Sequence, residues 1–380
     1  MRPGQPLTRP SATLSPSDGE GDGVRGVRLH PVSGYRIFQR PILMKTIPAC
    51  LLALATLATA SVRGADYHLI KEIPVGGDGG WDYLSVDESA RRLYVSHATK
   101  VVVIDIEKNS VVGEITNTPG VHGLAVAPDL GRGFVSCGRE DKCAIVDLKT
   151  LQTISKVETG KNPDGMLYDP AQQEIYMFNH TGESATVIDA KAGKVIATIP
   201  LGGKLEFGAV DTKAGRVFVN LEDKSEVAVI ETKTHTLTNR WPIAPGEEPT
   251  GMAFDAKNHR LFVGCGGNKM MLMLDSTSGK VVASVPIGDG VDANAFDPAT
   301  QLAFASCSDG TVTIAHEDAP DKLTVVQTLK TARGARTMTL DPKTHRIYLG
   351  AAEYEAAAGG GQRRPKMVAG SFKILVFGNE

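Results

Sequence analysis

Seven polar residues recur along the chain at intervals of 40 to 44: Asp82, His122, Asp164, Glu206, Thr250, Asp292 and Arg336. Four carboxylates, an imidazole, a hydroxyl and a guanidinium brought to one point form a donor set for a divalent cation, or for a cationic or polar ligand. The plainer account is a solvated opening in which the acids cap turns and pair with Arg336; such a mouth is wet in either case. Trp81 precedes Asp82, and Tyr83 and Phe207 each follow a ring position by one. Aromatic faces therefore stand beside the polar set, either as a stacking wall or as cover for the core.

The cysteines keep the same phase. Cys137, Cys265 and Cys307 share one repeat position with His97, and His180 lies one residue later. They belong to different repeats and form no CxxC pair, so they read as small packing residues rather than a soft-metal cluster. Cys137 and Cys143 differ in flanking one short segment, 138–142. In an oxidising compartment they are candidates for a local disulfide. The sequence has no CxxCH, HExxH, GxSxG or GxxxxGK[ST] pattern, and no Ser/His/Asp set can be assembled from spacing.

A repeat has to position these residues. The segments Leu84–Asp87, Leu124–Ala127, Met166–Asp169, Gly208–Asp211, Met252–Asp255, Asn294–Asp297 and Met338–Asp341 align, with their last residues 40, 42, 42, 44, 42 and 44 apart. Five residues before each last position stands one member of the polar ring. Each segment is followed by a second β-rich triplet, by a third run such as Val103-Ile104-Asp105 or Val187-Ile188-Asp189, and by a fourth after a turn such as Ala192-Gly193-Lys194. Four short β runs per repeat, seven times, predict an all-β seven-bladed propeller of four-stranded antiparallel blades. Residues 69–76 read as a fourth strand with none before it, and 373–377 as a third strand with none after it. The N-terminal strand is thus expected to close the last blade and remove the seam.

Several of these runs carry a motif. Leu93-Tyr-Val-Ser96, Ile175-Tyr-Met177 with Asn179, Val217-Phe-Val-Asn220, Leu261-Phe-Val263 and Ile347-Tyr-Leu349 look like the YVTN signature, and the VIDxxxGKV stretches fit it. Residues 66–380 therefore resemble the YVTN-repeat seven-bladed propellers, including YncE-like periplasmic proteins. The resemblance implies a fold more than an activity, because propellers host many unrelated functions.

The last repeat departs from the pattern. Its third strand ends 36 residues after Asp341 instead of 18 or 20, so its second-to-third-strand loop carries about 16 extra residues. This loop holds Ala-Ala-Ala-Gly-Gly-Gly and then Arg363, Arg364 and Lys366. It reads as a lid or docking arm with a basic tip, or as a tolerated insertion.

Upstream, residues 1–43 lack periodicity and read as an over-extension of the reading frame or a disordered leader. Met44-Lys45 then opens a 14-residue apolar run from Ile47 to Ala60. That is short of the roughly 20 residues a membrane helix needs, but fits a signal-peptide core. Residues 44–65 are therefore expected to be a signal peptide, cut between about 60 and 65, with no membrane span in the mature protein. Export to the periplasm or the exterior follows. Across 380 residues there are 41 Lys+Arg and 43 Asp+Glu, a net charge of −2. Residues 1–65 hold eight of the bases and three of the acids, so the propeller itself stands at 33 against 40, or −7.

These readings favour an exported, non-enzymatic module that binds a protein or small-molecule ligand through its funnel face. We expect a monomer with no cofactor, a divalent cation at the funnel ring being the open alternative. An enzyme is the second reading, since relatives of this shape include lactonases and quinone- or haem-associated redox proteins. The YncE-like resemblance also implies single-stranded DNA binding. A −7 domain with an acidic ring argues against nucleic acid, whose affinity comes largely from bases neutralising phosphates.

Overall fold

In the computed structural model the described residues are 65–355 and 366–380. The leader, the signal peptide and the Arg363–Arg364 tip lie outside them. Strands make up seven four-stranded antiparallel sheets, each a single meander: 84–115, 121–158, 163–200, 205–242, 249–286, 291–330, and a last blade from 338–378. That last sheet is completed by His68–Pro74, which pairs with Lys373–Gly378. The N-terminal strand closes the ring as the sequence requires. Among the described residues no helix is long and apolar enough to cross a membrane.

Burial explains why each run takes its place. Second and third strands such as Arg92–His97 and Lys100–Asp105 are near-continuous apolar runs buried on both faces, while fourth strands such as Ser110–Ile115 are largely exposed. Core therefore sits between blades rather than inside any one. Tyr176, Phe178 and Val187 of the third blade pack on Val217 and Val219 of the fourth. At the seam, Ile73, Phe372 and Val376 pack on Leu93, Val95 and Val102 of the first. No single blade can bury its own faces, so the ring is the cooperative unit.

The cysteines follow this geometry. Cys137, Cys265 and Cys307 are fully buried at the ends of second strands, as packing residues. The candidate disulfide between Cys137 and Cys143 does not form: both are free and buried. Cys137 pairs across the hairpin with Lys142 and Cys143 with Ser136. The pleat therefore sends the two side chains to opposite faces. Cys137 joins the core shared with the first blade, and Cys143 the core shared with the third.

One irregularity recurs where the polar ring lies. In the second to sixth blades the ladder between first and second strands slips by one residue, between Val121 and Leu124, Pro163 and Met166, Leu205 and Gly208, Pro249 and Met252, and Val291 and Ala293. Each is a bulge with one extra residue on the inner strand, which breaks side-chain alternation and re-aims what it carries. A bulge leaves backbone groups without ladder partners, and the polar residue ending the YVTN-like run supplies them. Ser136 Oγ accepts from Gly123 N at 3.1 Å, and Ser96 Oγ from Asp82 N at 2.8 Å. Asn220 Nδ2 donates to the carbonyls of Thr250 and Gly251 in the next blade, at 2.8 and 3.1 Å.

Candidate functional site

The bulges and the two seam loops turn all seven ring residues into one cavity of about 460 Å³ at the channel mouth. Asp82, His122, Asp164, Glu206, Thr250, Asp292 and Arg336 line it together with Tyr83, Glu222 and Glu248. Tyr83 of the first blade lines it and meets Phe207 of the fourth edge-to-face at 4.9 Å. These blades are not neighbours, so the rings meet across the lumen. Gly123 leaves them room, since a Cβ there would stand 3.0 Å from Tyr83 Cβ. Trp81 does not share this cavity. It stacks on Phe372 at 4.8 Å, covers the seam core, and lines an adjoining pocket with Arg139.

Carboxylates and imidazoles alternate around one side of the cup. His122 Nδ1 lies 2.8 Å from Asp82 Oδ2 and 3.4 Å from Asp164 Oδ1. His180 Nδ1 lies 3.0 Å from Glu206 Oε1 and 3.1 Å from the Leu205 carbonyl. On the other side, Arg336 Nε stands 3.2 Å from Asp292 Oδ2. Thr250 is partly committed to the scaffold, its hydroxyl donating to the Val291 carbonyl at 3.0 Å.

These acids perturb one another. Burial pushes the Asp164 carboxyl up to about 8, with Asp82 and Glu206 adding to burial and the two imidazoles opposing it. Burial also lifts Asp292 to about 7 against the pull of Arg336. Burial would depress His122, but the bond to Asp82 and the charge of Asp164 outweigh it and raise the ring to about 9. The bond to Glu206 is the main cause that raises His180 to about 9. Unliganded, the cup thus holds protons that a cation would displace.

Sequence spacing found the seven-membered ring but missed His180, Glu222 and Glu248 as part of it. His180 and Glu222 stand eleven residues after the aligned Asp169 and Asp211, a register filled elsewhere by Ala98, Gly138, Gly266, Ser308 and Ala352. Small residues hide the register in sequence while serving the site. A Cβ on Gly138 would fall 2.9 Å from His122 Nε2 and 2.8 Å from Asn162 Oδ1. Lys366 is exposed at the base of the last-blade loop, where its carbonyl accepts from Glu355 N at 2.8 Å.

No family model and no curated protein matches this chain. Solved structures do match in fold. The structure of U3-55K superposes with a TM-score of 0.68 at 11% identity, covering 82% of this chain and 99% of that one. The WD40 repeats of RRP9 superpose with a TM-score of 0.69 at 10% identity, covering 83% and 98%. The chain is a seven-bladed propeller with WD40-repeat structural neighbours.

Proposed function

We propose that this protein is an exported, YVTN-type propeller that works as a binding scaffold, taking a cationic group of a protein or small-molecule partner into the channel mouth. The propeller architecture is consistent with a protein-binding scaffold. One observation carries the cationic specificity: Asp82, Asp164, Glu206, Glu222, Glu248 and Asp292 line a single cavity in which Arg336 is the one Lys or Arg among the described residues. Converging carboxylates beside the Tyr83 ring recognise an ammonium or guanidinium by charge, hydrogen bonds and the aromatic face. They repel phosphate, which ranks single-stranded DNA below a cationic ligand.

Calorimetry in EDTA tests this with spermidine, an Arg/Lys hexapeptide and a single-stranded oligonucleotide. The cationic probes are expected to bind, to weaken as salt rises, and to weaken tenfold or more in Glu206→Gln/Asp292→Asn. Equal or tighter binding of the oligonucleotide would overturn the reading. Export is checked by N-terminal sequencing of the mature chain, expected to start just after residues 60–65.

A further inference from the structure

We propose that the channel mouth is a divalent transition-metal site built on two triads that share Asp164: Asp82–His122–Asp164 and Asp164–His180–Glu206. This rests on reading the cup as a cation site, and it names the class of cation.

Geometry is the first argument. Within each triad one donor atom per residue lies within 4.8 Å of the others. The separations of 2.8, 3.0 and 3.4 Å run from short of, up to, the donor–donor edge of about 3.4 Å that a tetrahedral set with bonds near 2.1 Å requires. An ion could therefore enter by side-chain adjustment alone. His122, Asp164 and Glu206 sit on the first strands of three successive blades, while Asp82 precedes the first strand of the first blade by two residues and His180 follows the second strand of the third by one.

Asp164 is the second and independent argument. Only 8% of its surface is exposed, and no donor among the described residues hydrogen-bonds its carboxylate. The nearest imidazole, His122, donates to Asp82 and stands 3.4 Å away. The Asp164 side chain keeps 12% exposure to the cavity, and a carboxylate so far removed from water gains from a positive charge closer than that imidazole. Asp164 lies where both triads meet, so a cation there supplies a closer partner.

Donor chemistry selects the ion. Calcium and magnesium take oxygen ligands, whereas mixed imidazole and carboxylate sets suit zinc, cobalt and nickel. Asn162 Oδ1 and His122 Nε2 stand side by side against Gly138, which places a polar side chain behind the imidazole where supporting residues stand around metal-bound histidines.

Equilibrium dialysis of the untagged, chelator-stripped full chain against Zn²⁺, Co²⁺ and Ca²⁺ tests the proposal, with visible absorption reporting Co²⁺ coordination. Zn²⁺ and Co²⁺ are expected to bind at least 100-fold more tightly than Ca²⁺. Asp164→Asn should weaken Zn²⁺ 100-fold or more, and His122→Gln and His180→Gln tenfold or more each. Melts in EDTA confirm folding, and if Asp164→Asn does not fold, the two histidine variants carry the test. Zn²⁺ binding no tighter than millimolar, Ca²⁺ within tenfold of Zn²⁺, or wild-type affinity in all three variants would overturn the site. Cationic-peptide binding in EDTA without zinc uptake would sink the metal site alone; loss of both would sink the broader reading as well.

Discussion

The two ends of the inner hairpins treat their charges in opposite ways. At the turn end, an Asp closes most inner strands and its carboxylate caps the turn: Asp87 accepts from Ser89 N and Ala90 N, and Asp211 from Lys213 N and Ala214 N. The residue four positions on has positive φ in all seven blades, yet only Gly131 and Gly215 are glycine. Arg91, Gln173 and His345 use their side chains to reach the preceding blade. Arg91 grips Asp341, His345 bonds Asp297 at 2.7 Å, and Gln173 bonds Asp129 at 2.9 Å. At the channel mouth, six carboxylates share one guanidinium and two imidazoles. Charge at the turn end is consumed in joining blades; charge at the mouth is left in surplus, which is what a binding site needs.

The largest effect should come from breaking the turn end at the seam. Arg91 makes two bonds to Asp341, of 3.0 and 2.7 Å, and the Asp341 side chain is fully buried. Arg91→Ala leaves that carboxylate without its cation and should cost about 3–5 kcal/mol in urea unfolding. Burial pushes the Asp341 carboxyl up, but the bonds and charge of Arg91 and the Thr344 hydroxyl outweigh it and hold it below its ordinary value. A depressed folded pKa gives stability that is full above the ordinary carboxylate value of about 4 and is lost as pH falls through the folded one. The stability gap between wild type and Arg91→Ala should therefore shrink below about pH 4. A gap that is constant from pH 3 to 7 would refute the pairing.

One place at the turn end behaves like the mouth, and it sharpens the contrast. Glu317 is 1% exposed, takes a bond from Asn258 Nδ2 at 3.1 Å, and has its other oxygen unpartnered. Burial, with Asp255 adding to it, pushes its carboxyl up to about 7. Here the fold favours the neutral acid, so stability falls as pH rises from the unfolded value to 7. Glu317→Gln keeps the shape and the Asn258 bond, and should stabilise by about 2 kcal/mol at pH 8 and by nothing at pH 4. Paired melts at the two pH values decide it; destabilisation at pH 8 would show that Glu317 is a satisfied charge.

The blades were legible because hydrophobic runs and aligned Asp residues repeat in one register, and the ring was legible because it keeps that register. The second contribution to the cup was not, since His180 and Glu222 share their position with two alanines, two glycines and a serine. Only the bulge, which turns the inner strand toward the end of the second strand, shows that these two positions converge. The disulfide failed for a related reason. Proximity along a hairpin says nothing of face, and an offset of one residue sends Cys137 and Cys143 into different cores.

The smallest stability effect should come from the mouth itself. Asp292 is partly buried beside Arg336, has an oxygen with no hydrogen-bond donor, and is pushed up to about 7 by its removal from water and by Asp82, Glu206 and Glu222. Its partner is half exposed, at 51%, and so keeps its hydration when the carboxylate is removed. Pairs of that kind contribute at most about 1 kcal/mol. Asp292→Asn should therefore lie within about 1 kcal/mol of wild type. Its sign should be stabilising above pH 7, where the raised carboxyl would otherwise ionise, and should fade toward pH 4. Binding of the cationic hexapeptide should nevertheless weaken severalfold in the same variant. If Asp292→Asn costs as much as Arg91→Ala, the mouth is joining blades as the turn end does, and its acids are spent on structure. If stability holds while binding falls, the surplus charge is there for a ligand.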